Sequence, residues 1–413
     1  MRLLYSFSIR IYYLGILCAS LFNKKAKLWM RGRKNLFPNL EKTILELRTP
    51  NSELIWFHCA SLGEFEQGRP VMEKLKAQNP NVKILLSFFS PSGYEIRKNY
   101  VGADYVCYLP MDFTSNAKKF LDIVKPSKII FIKYEFWFNF LLETFKRKIP
   151  CYLISASFRL DQYFFKSYGG WFRKKLKNFT HIFAQSEEVK NILEIYDFAN
   201  VSVSGDTRFD RVYDVAKTHK PIPLAEIFCA DSKIIVCGST WSGDEEILAD
   251  MQNMKANIKM IIAPHEIDES HLLQIEKLFS SRKTIRFSKA TEQNITEANI
   301  LLIDNIGMLS SLYHYAYVTY VGGGFNKTVH NILEPAAHGK PIIFGHKFYK
   351  FREAFELIEK GGAFTVNSAL ELSDRLNFLF QDPLVLKMAS MISENYVREN
   401  KGATQIIFSK IGN

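Results

Sequence analysis

Cysteine is scarce in this chain. There are six in 413 residues (Cys18, Cys59, Cys107, Cys151, Cys229 and Cys237), and no two form a CxxC pair. That spacing excludes a disulfide framework and a zinc ribbon, and it favours a reducing compartment. Acid is missing from the first forty residues: Arg2, Arg10, Lys24, Lys25, Lys27, Arg31, Arg33 and Lys34 all precede Glu41. A long apolar run is missing too. The N-terminal one, IYYLGILCASLF at 11–22, falls short of the roughly 20 residues that carry a helix across a bilayer. GxGxxG and HExxH spacings are absent, as are internal repeats and low-complexity stretches. His265 and His271 lie six apart, which argues against a zincin-type metal site.

What is present is a globular composition, 47% hydrophobic and 23% charged, with a length that predicts two or three domains. Charge is uneven. Residues 1–220 carry 35 basic and 20 acidic groups, a net +15, leaving 19 and 22, a net −3, for 221–413. A cationic surface attracts nucleic acid, anionic lipid or a phosphorylated substrate. The basic-apolar-basic N-terminus points to lipid, as a membrane-surface helix or marginal anchor over residues 1–34 with its cations on the cytoplasmic side. A cleaved signal peptide is the rival reading, which the disulfide-free body disfavours. The stretch 163–177, YFFKSYGGWFRKKLK, mixes aromatics with five cations, as expected at a membrane interface.

Short apolar runs alternate with amphipathic stretches. The first half offers strands at 54–59, 82–89, 105–109, 127–134, 151–156, 181–186 and 201–205; the second at 233–238, 258–264, 299–304, 317–324 and 341–345. Continuous apolar strands separated by helices imply parallel sheets covered on both faces. Two such series predict two doubly wound Rossmann-like domains, 35–217 and 218–413, divided at the prolines of THKPIPL. Domains of this class bind ligands at the carboxyl ends of their strands, and two that face each other make a cleft.

The residues after the strands are therefore the candidates. Glu64 follows the 54–59 strand through ASLG, at a helix start that stabilises a carboxylate. Glu135 leaves the fourth strand among aromatics, and Arg208 follows the seventh, beside Asp206 and Asp210 as possible surface partners. In the second half GSTWSGDEE opens a helix with donors suited to an anion. The segment YVGGGFNKTVHNILEPAAHGKP then offers a glycine loop, a helix expected to begin near Thr328, and Asn331 and Glu334 on one face of it. Glu334 suits ribose hydroxyls. His330 and His338 read as structural or anion-facing.

In order along the chain, WFHCASLGE, KYEFWFN, AQS, GDTRFD, GST, AP-His-Glu, DNIGMLSSLY and VGGG…HNILEPAAHGKP resemble segments of the bacterial 3-deoxy-D-manno-octulosonic acid (Kdo) transferases of lipopolysaccharide assembly. The resemblance runs from about Trp56 to Phe364. It implies an α/β GT-B glycosyltransferase of two Rossmann-like domains that moves Kdo from CMP-Kdo to a phosphorylated lipid A precursor (lipid IVA). It further implies no metal, no resident cofactor and no nucleic-acid partner, at the cytoplasmic face of the inner membrane. By the same resemblance Glu64 matches a general base, and Glu135 and Arg208 match stabilisers of the transition state. Pro264, His265, Gly307, Met308, Leu309, Asn331, Ile332, Leu333 and Glu334 match nucleotide-binding positions. Departures are Lys133 for an acid, Arg208 for Lys, His265 for Arg and Met308 for Glu. Two other readings compete: a GT-B enzyme or epimerase using a UDP-sugar, and a basic two-lobed nucleic-acid-binding or scaffold protein.

Overall fold

The computed structural model describes every residue except Pro50, Asn51, Glu135, His219, Asp231, 252–257 and Asn413. The chain forms two compact units, Met1–Asp210 with Gly402–Asn413, and Arg211–Lys401.

The first unit is built on a parallel sheet of β1 (Leu54–Cys59), β2 (Lys83–Phe88), β3 (Tyr105–Tyr108), β4 (Lys128–Ile132), β5 (Cys151–Ala156), β6 (His181–Ala184) and β7 (Val201–Val203), in the order β3-β2-β1-β4-β5-β6-β7. All six residues of β1 and of β5 are buried, because helices cover both faces and no position can be spared for water. The second unit repeats the plan with β8 (Lys233–Thr240), β9 (Ile258–Pro264), β10 (Thr284–Arg286), β11 (Ile300–Leu302), β12 (Val318–Val321), β13 (Ile342–Gly345) and β14 (Ala363–Val366), ordered β10-β11-β9-β8-β12-β13-β14. The expected α/β class and paired doubly wound architecture hold. The two strands not expected, β10 and β14, are the short edges of the second sheet.

The unit limits differ from the expected 35–217 and 218–413. The chain leaves the first unit inside the helix Thr207–Lys217, between Asp210 and Arg211. The prolines of THKPIPL lie beyond that helix, and Pro223 begins the next one, Pro223–Cys229. The last residues return: the helix Ala403–Ile411 packs on the helix Leu62–Gln78, with Ile407 and Ile411 buried in the first unit. Asp210 fixes that return by accepting from the Gly402 N–H at 2.6 Å and from the N–H and hydroxyl of Thr404 at 2.8 and 2.7 Å.

The N-terminal helix is Arg2–Ala19, longer than the apolar run alone. Tyr5, Ile9, Tyr13 and Ile16 pack on the first unit's core, while Leu3, Leu4, Phe7, Ile11, Leu14 and Leu17 are exposed. Among the described residues no single helix is long and apolar enough to cross a membrane. The helices Arg2–Ala19 and Lys24–Gly32 have that length and apolar character only when taken together, and they are bent by 118° at the break between them.

Candidate active site

In a doubly wound sheet the strand order reverses at one place, where the loops on either side splay apart. In the first unit that place lies between β1 and β4. Glu64 stands just after β1, at the third position of the helix Leu62–Gln78. Ser61 caps the helix, and its N–H (3.0 Å) and hydroxyl both reach Glu64 Oε2. The carboxylate is thereby fixed and nearly buried, at 9% exposure. Both bonds go to Oε2, and among the described residues none is made to Oε1. Gly63 lies inside the first helical turn.

Across the reversal, Lys133 follows β4 with φ 68°, a left-handed conformation that non-glycine residues adopt at some cost. Ser155 in β5 (φ 50°) and Ser239 in β8 (φ 56°), each the last residue but one of its strand, share it, as do Asn35, Lys125, Lys148 and Asp197 elsewhere in the chain. Glu135 lies outside the described residues. Its neighbour Trp137 donates its indole N–H to His58 Nε2 at 3.0 Å. Ser87 Oγ lies 2.9 Å from His58 Nδ1 and accepts from Trp56 at 2.7 Å. With Nε2 accepting, Nδ1 carries the proton, so His58 is neutral and buried; burial pushes its pKa down to about 3. The histidine of WFHC thus ties β1 to the loop that follows β4.

Arg208 is the second residue of the helix Thr207–Lys217. Its Nε and Nη2 both reach Asp206 Oδ2, at 2.8 and 2.7 Å, and its backbone N–H reaches Oδ1 at 2.9 Å. Asp210, the other candidate partner, caps the C-terminal helix. Buried Gln67, one turn along from Glu64, donates to Asp206 at 3.4–3.5 Å, and Thr207 Oγ1 donates to the Gln67 carbonyl at 2.5 Å. Glu64 and Arg208 therefore stand at two helix starts joined through Gln67.

In the second unit the reversal lies between β8 and β12. Gly322 passes so close to the Ser239–Thr240 backbone that a Cβ would overlap it. Gly324 does the same against Gly345 Cα, at 2.6 Å. The three glycines therefore serve backbone-to-backbone packing as well as any ligand. Buried Asp244 links this loop to the helix Ser242–Ala249, accepting from Gly323 N–H (2.7 Å), Trp241 N–H (3.0 Å) and Tyr320 hydroxyl (2.9 Å); burial raises its pKa despite those bonds. Trp241, His265 and His330 stack together, with centroids 4.8 Å apart for Trp241–His265 and 4.4 Å for His265–His330, and Trp241 donates to His330 Nε2 at 2.8 Å. Burial and the neighbouring His265 push His330 down to about 4.

The helix expected near Thr328 begins only at Leu333, because residues 325–332 are held in a loop folded over Gly323. Asn331 precedes it, accepting from the Leu333 N–H at 3.2 Å and donating to Glu334 at 2.9 Å. Ile332 is the cap position, and Ile332 and Leu333 are buried. Pro264 ends β9, Gly307 (φ 103°) and Met308 lead into a short helix, and Leu309 packs over Gly238. The candidates from Pro264 to Glu334 thus lie after strands β9, β11 and β12, near that reversal. Sequence reasoning missed Gln67, Trp241 and the stacking role of His330. A carboxamide one turn from Glu64 was a visible signal, but the ring stack joins three loops and leaves none. Among the described residues no group of three or more His, Cys, Asp or Glu side chains is placed to hold a metal ion.

Residues 33–211 match the family described as 3-deoxy-D-manno-octulosonic-acid transferase (kdotransferase). The chain is 29% identical to the 3-deoxy-D-manno-octulosonic acid transferase of Aquifex aeolicus, over 84% of this chain and 90% of that one. To the enzyme of the same name from Haemophilus influenzae it is 25% identical, over 86% of each. The chain is similar to the Kdo transferases in both comparisons. Its fold is also that of UDP-GlcNAc 2-epimerase from Neisseria meningitidis, at a TM-score of 0.61 and 18% identity over 87% of this chain and 99% of that one. At that identity the likeness is one of fold, the GT-B class. The likeness to the Aquifex aeolicus enzyme, over 84% of the chain, extends beyond the matched 33–211.

Proposed function

We propose that this protein moves Kdo from CMP-Kdo to a hydroxyl of a phosphorylated lipid A precursor, lipid IVA, without a metal ion or resident cofactor. The observation that carries the reading is Glu64: a carboxylate fixed at the strand-order reversal by its own helix cap, with Oε1 outside that cap. The acceptor hydroxyl gives its proton to Glu64 as its oxygen bonds to the anomeric carbon of Kdo. The bond from that carbon to the CMP phosphate oxygen breaks, and CMP leaves with the electron pair. Arg208, and Glu135 by the family resemblance, serve the developing charge. The nucleotide is taken by the second unit, on the loops bearing Pro264, His265, 307–309 and 331–334.

The enzyme works at the cytoplasmic face of the inner membrane. Support comes from the exposed apolar face of Arg2–Ala19, where Leu3 and Leu4 are 87% and 66% exposed, and from the adjoining helix Gly170–Leu176, whose Trp171 and Phe172 touch Tyr5. Phe164 and Phe165 are core residues, so only part of the 163–177 stretch serves such a surface.

The deciding experiment incubates the full chain with CMP-Kdo and tetra-acylated lipid A precursor, in parallel with UDP-sugars, and resolves the lipids by mass. A Kdo-bearing lipid from CMP-Kdo alone is expected. Turnover of a UDP-sugar with none from CMP-Kdo would replace this reading with the rival one.

A further inference from the structure

We infer that Asp206 is a positioning residue for Arg208, and that the pair, not an isolated cation, acts in the site. The inference rests on the proposed reaction and extends it to residues outside the expected set. Asp206 does two things with one carboxylate. Oδ1 takes the Arg208 backbone N–H at 2.9 Å, in the manner of a helix cap, while Oδ2 takes Nε and Nη2 at 2.8 and 2.7 Å. Only a guanidinium has two donors on one rigid edge, so the grip fixes the plane of the fork and points its Nη1 edge away from Asp206. A lysine there would offer a single rotating ammonium and gain no such orientation.

Asp206 is itself buried, at 7% exposure, and a buried carboxylate needs more than one partner. Gln185 supplies one at 3.2 Å, and Gln67 another at 3.4–3.5 Å. Both carboxamides are neutral, so Arg208 is the charged partner among these contacts, and Asp206 sets where its N–H donors aim. One departure noted from the sequence becomes coherent on this view: Arg208, where the resemblance implies lysine, is matched by an acid two residues before it that can hold its fork.

The test has a kinetic and a spectroscopic arm. Asp206→Asn keeps the shape and one acceptor but loses the grip on the fork. Its kcat should fall ten- to a hundredfold, as for a misplaced catalytic group, with KM for both substrates within about twofold and an unchanged thermal midpoint. Arg208→Lys should fall similarly, and the double variant should be no worse than the poorer single one, because both remove the same oriented group. A parental kcat in Asp206→Asn, or losses that multiply in the double variant, would overturn the inference. Independently of any substrate, arginine-labelled parent protein should show a slowly exchanging Arg208 Nε–H, assigned by its loss in Arg208→Lys. A rapidly exchanging one overturns the inference even if Asp206→Asn fails to fold. Parent protein without Kdo transfer but with a protected Nε–H would refute the proposed reaction and leave the positioning intact.

Discussion

Glu64 and His58 sit six residues apart in one motif and do opposite things with burial. Glu64 is held by a cap that leaves one oxygen outside it. Glu64→Gln preserves size and most contacts while removing the proposed proton acceptor, so turnover should fall roughly a hundredfold to ten-thousandfold with little change in CMP affinity. Steady-state kinetics with calorimetric CMP titration check this, and near-parental turnover with chemistry limiting would end the assignment. His58, by contrast, is locked neutral between Trp137 and Ser87. The unfolded chain takes up a proton below about pH 6.5 that the folded chain refuses until about 3. This site's stability is therefore complete above pH 6.5 and lost as pH falls toward 3, by on the order of 2 kcal/mol at pH 5. His58→Gln, which can accept from Trp137 and donate to Ser87 without titrating, should show that much less loss between pH 8 and 5 in urea unfolding. An identical loss in parent and variant would show that His58 is not the titrating group.

At the scale of elements, legibility followed burial. Most strands of the first sheet could be read because they are largely apolar runs covered on both faces; β7, Val-Ser-Val and part-buried, is the exception. The edge strands β10, Thr-Ile-Arg, and β14, Ala-Phe-Thr-Val, could not: they are short, partly polar and half-covered. The helix start at Glu64 was local and therefore visible, whereas the capping by Ser61 and the Trp241–His265–His330 stack were not read, the latter because it depends on three loops meeting and leaves no spacing signal. In the glycine loop, Gly322 is required by the neighbouring backbone. Gly322→Ala puts a methyl onto the Ser239–Thr240 chain, with Thr240 Cα 2.6 Å away, which cannot rotate aside. It should cost roughly 1–3 kcal/mol and weaken CMP binding by displacing the Trp241 loop. Gly307→Ala meets open space and only the strain of φ 103°, so it should melt closer to the parent. Equal melting points would remove the backbone argument. On the helix Arg2–Ala19, Leu4→Glu with Phe7→Glu and Leu14→Glu alters positions that are 66%, 60% and 56% exposed. The triple variant should keep its circular dichroism but no longer sediment with anionic vesicles; unchanged sedimentation would mean that another surface holds the membrane.

For the whole molecule, the least local fact is that the chain's last helix belongs to its first unit. Ile407 and Ile411 are at 0% and 1% exposure in a core shared with Met72 and Leu75 of the helix that begins beside Glu64. Lys410 reaches His181 at 3.2 Å from the same helix, and Asp210 caps its start. The sequence placed this segment in the second domain because a short apolar helix after a long one carries no mark of where it docks. Ile407→Ala should cost about 2–5 kcal/mol, the usual range for emptying a buried aliphatic site. That loss should fall on the first unit: hydrogen exchange should quicken in Leu62–Gln78 and β1, while β8 and β12 keep their protection. CMP affinity, assigned to the second unit, should hold at temperatures where Glu64-dependent turnover has already declined. Faster exchange confined to β8 and β12 would place the final helix with the second unit and contradict the packing seen here.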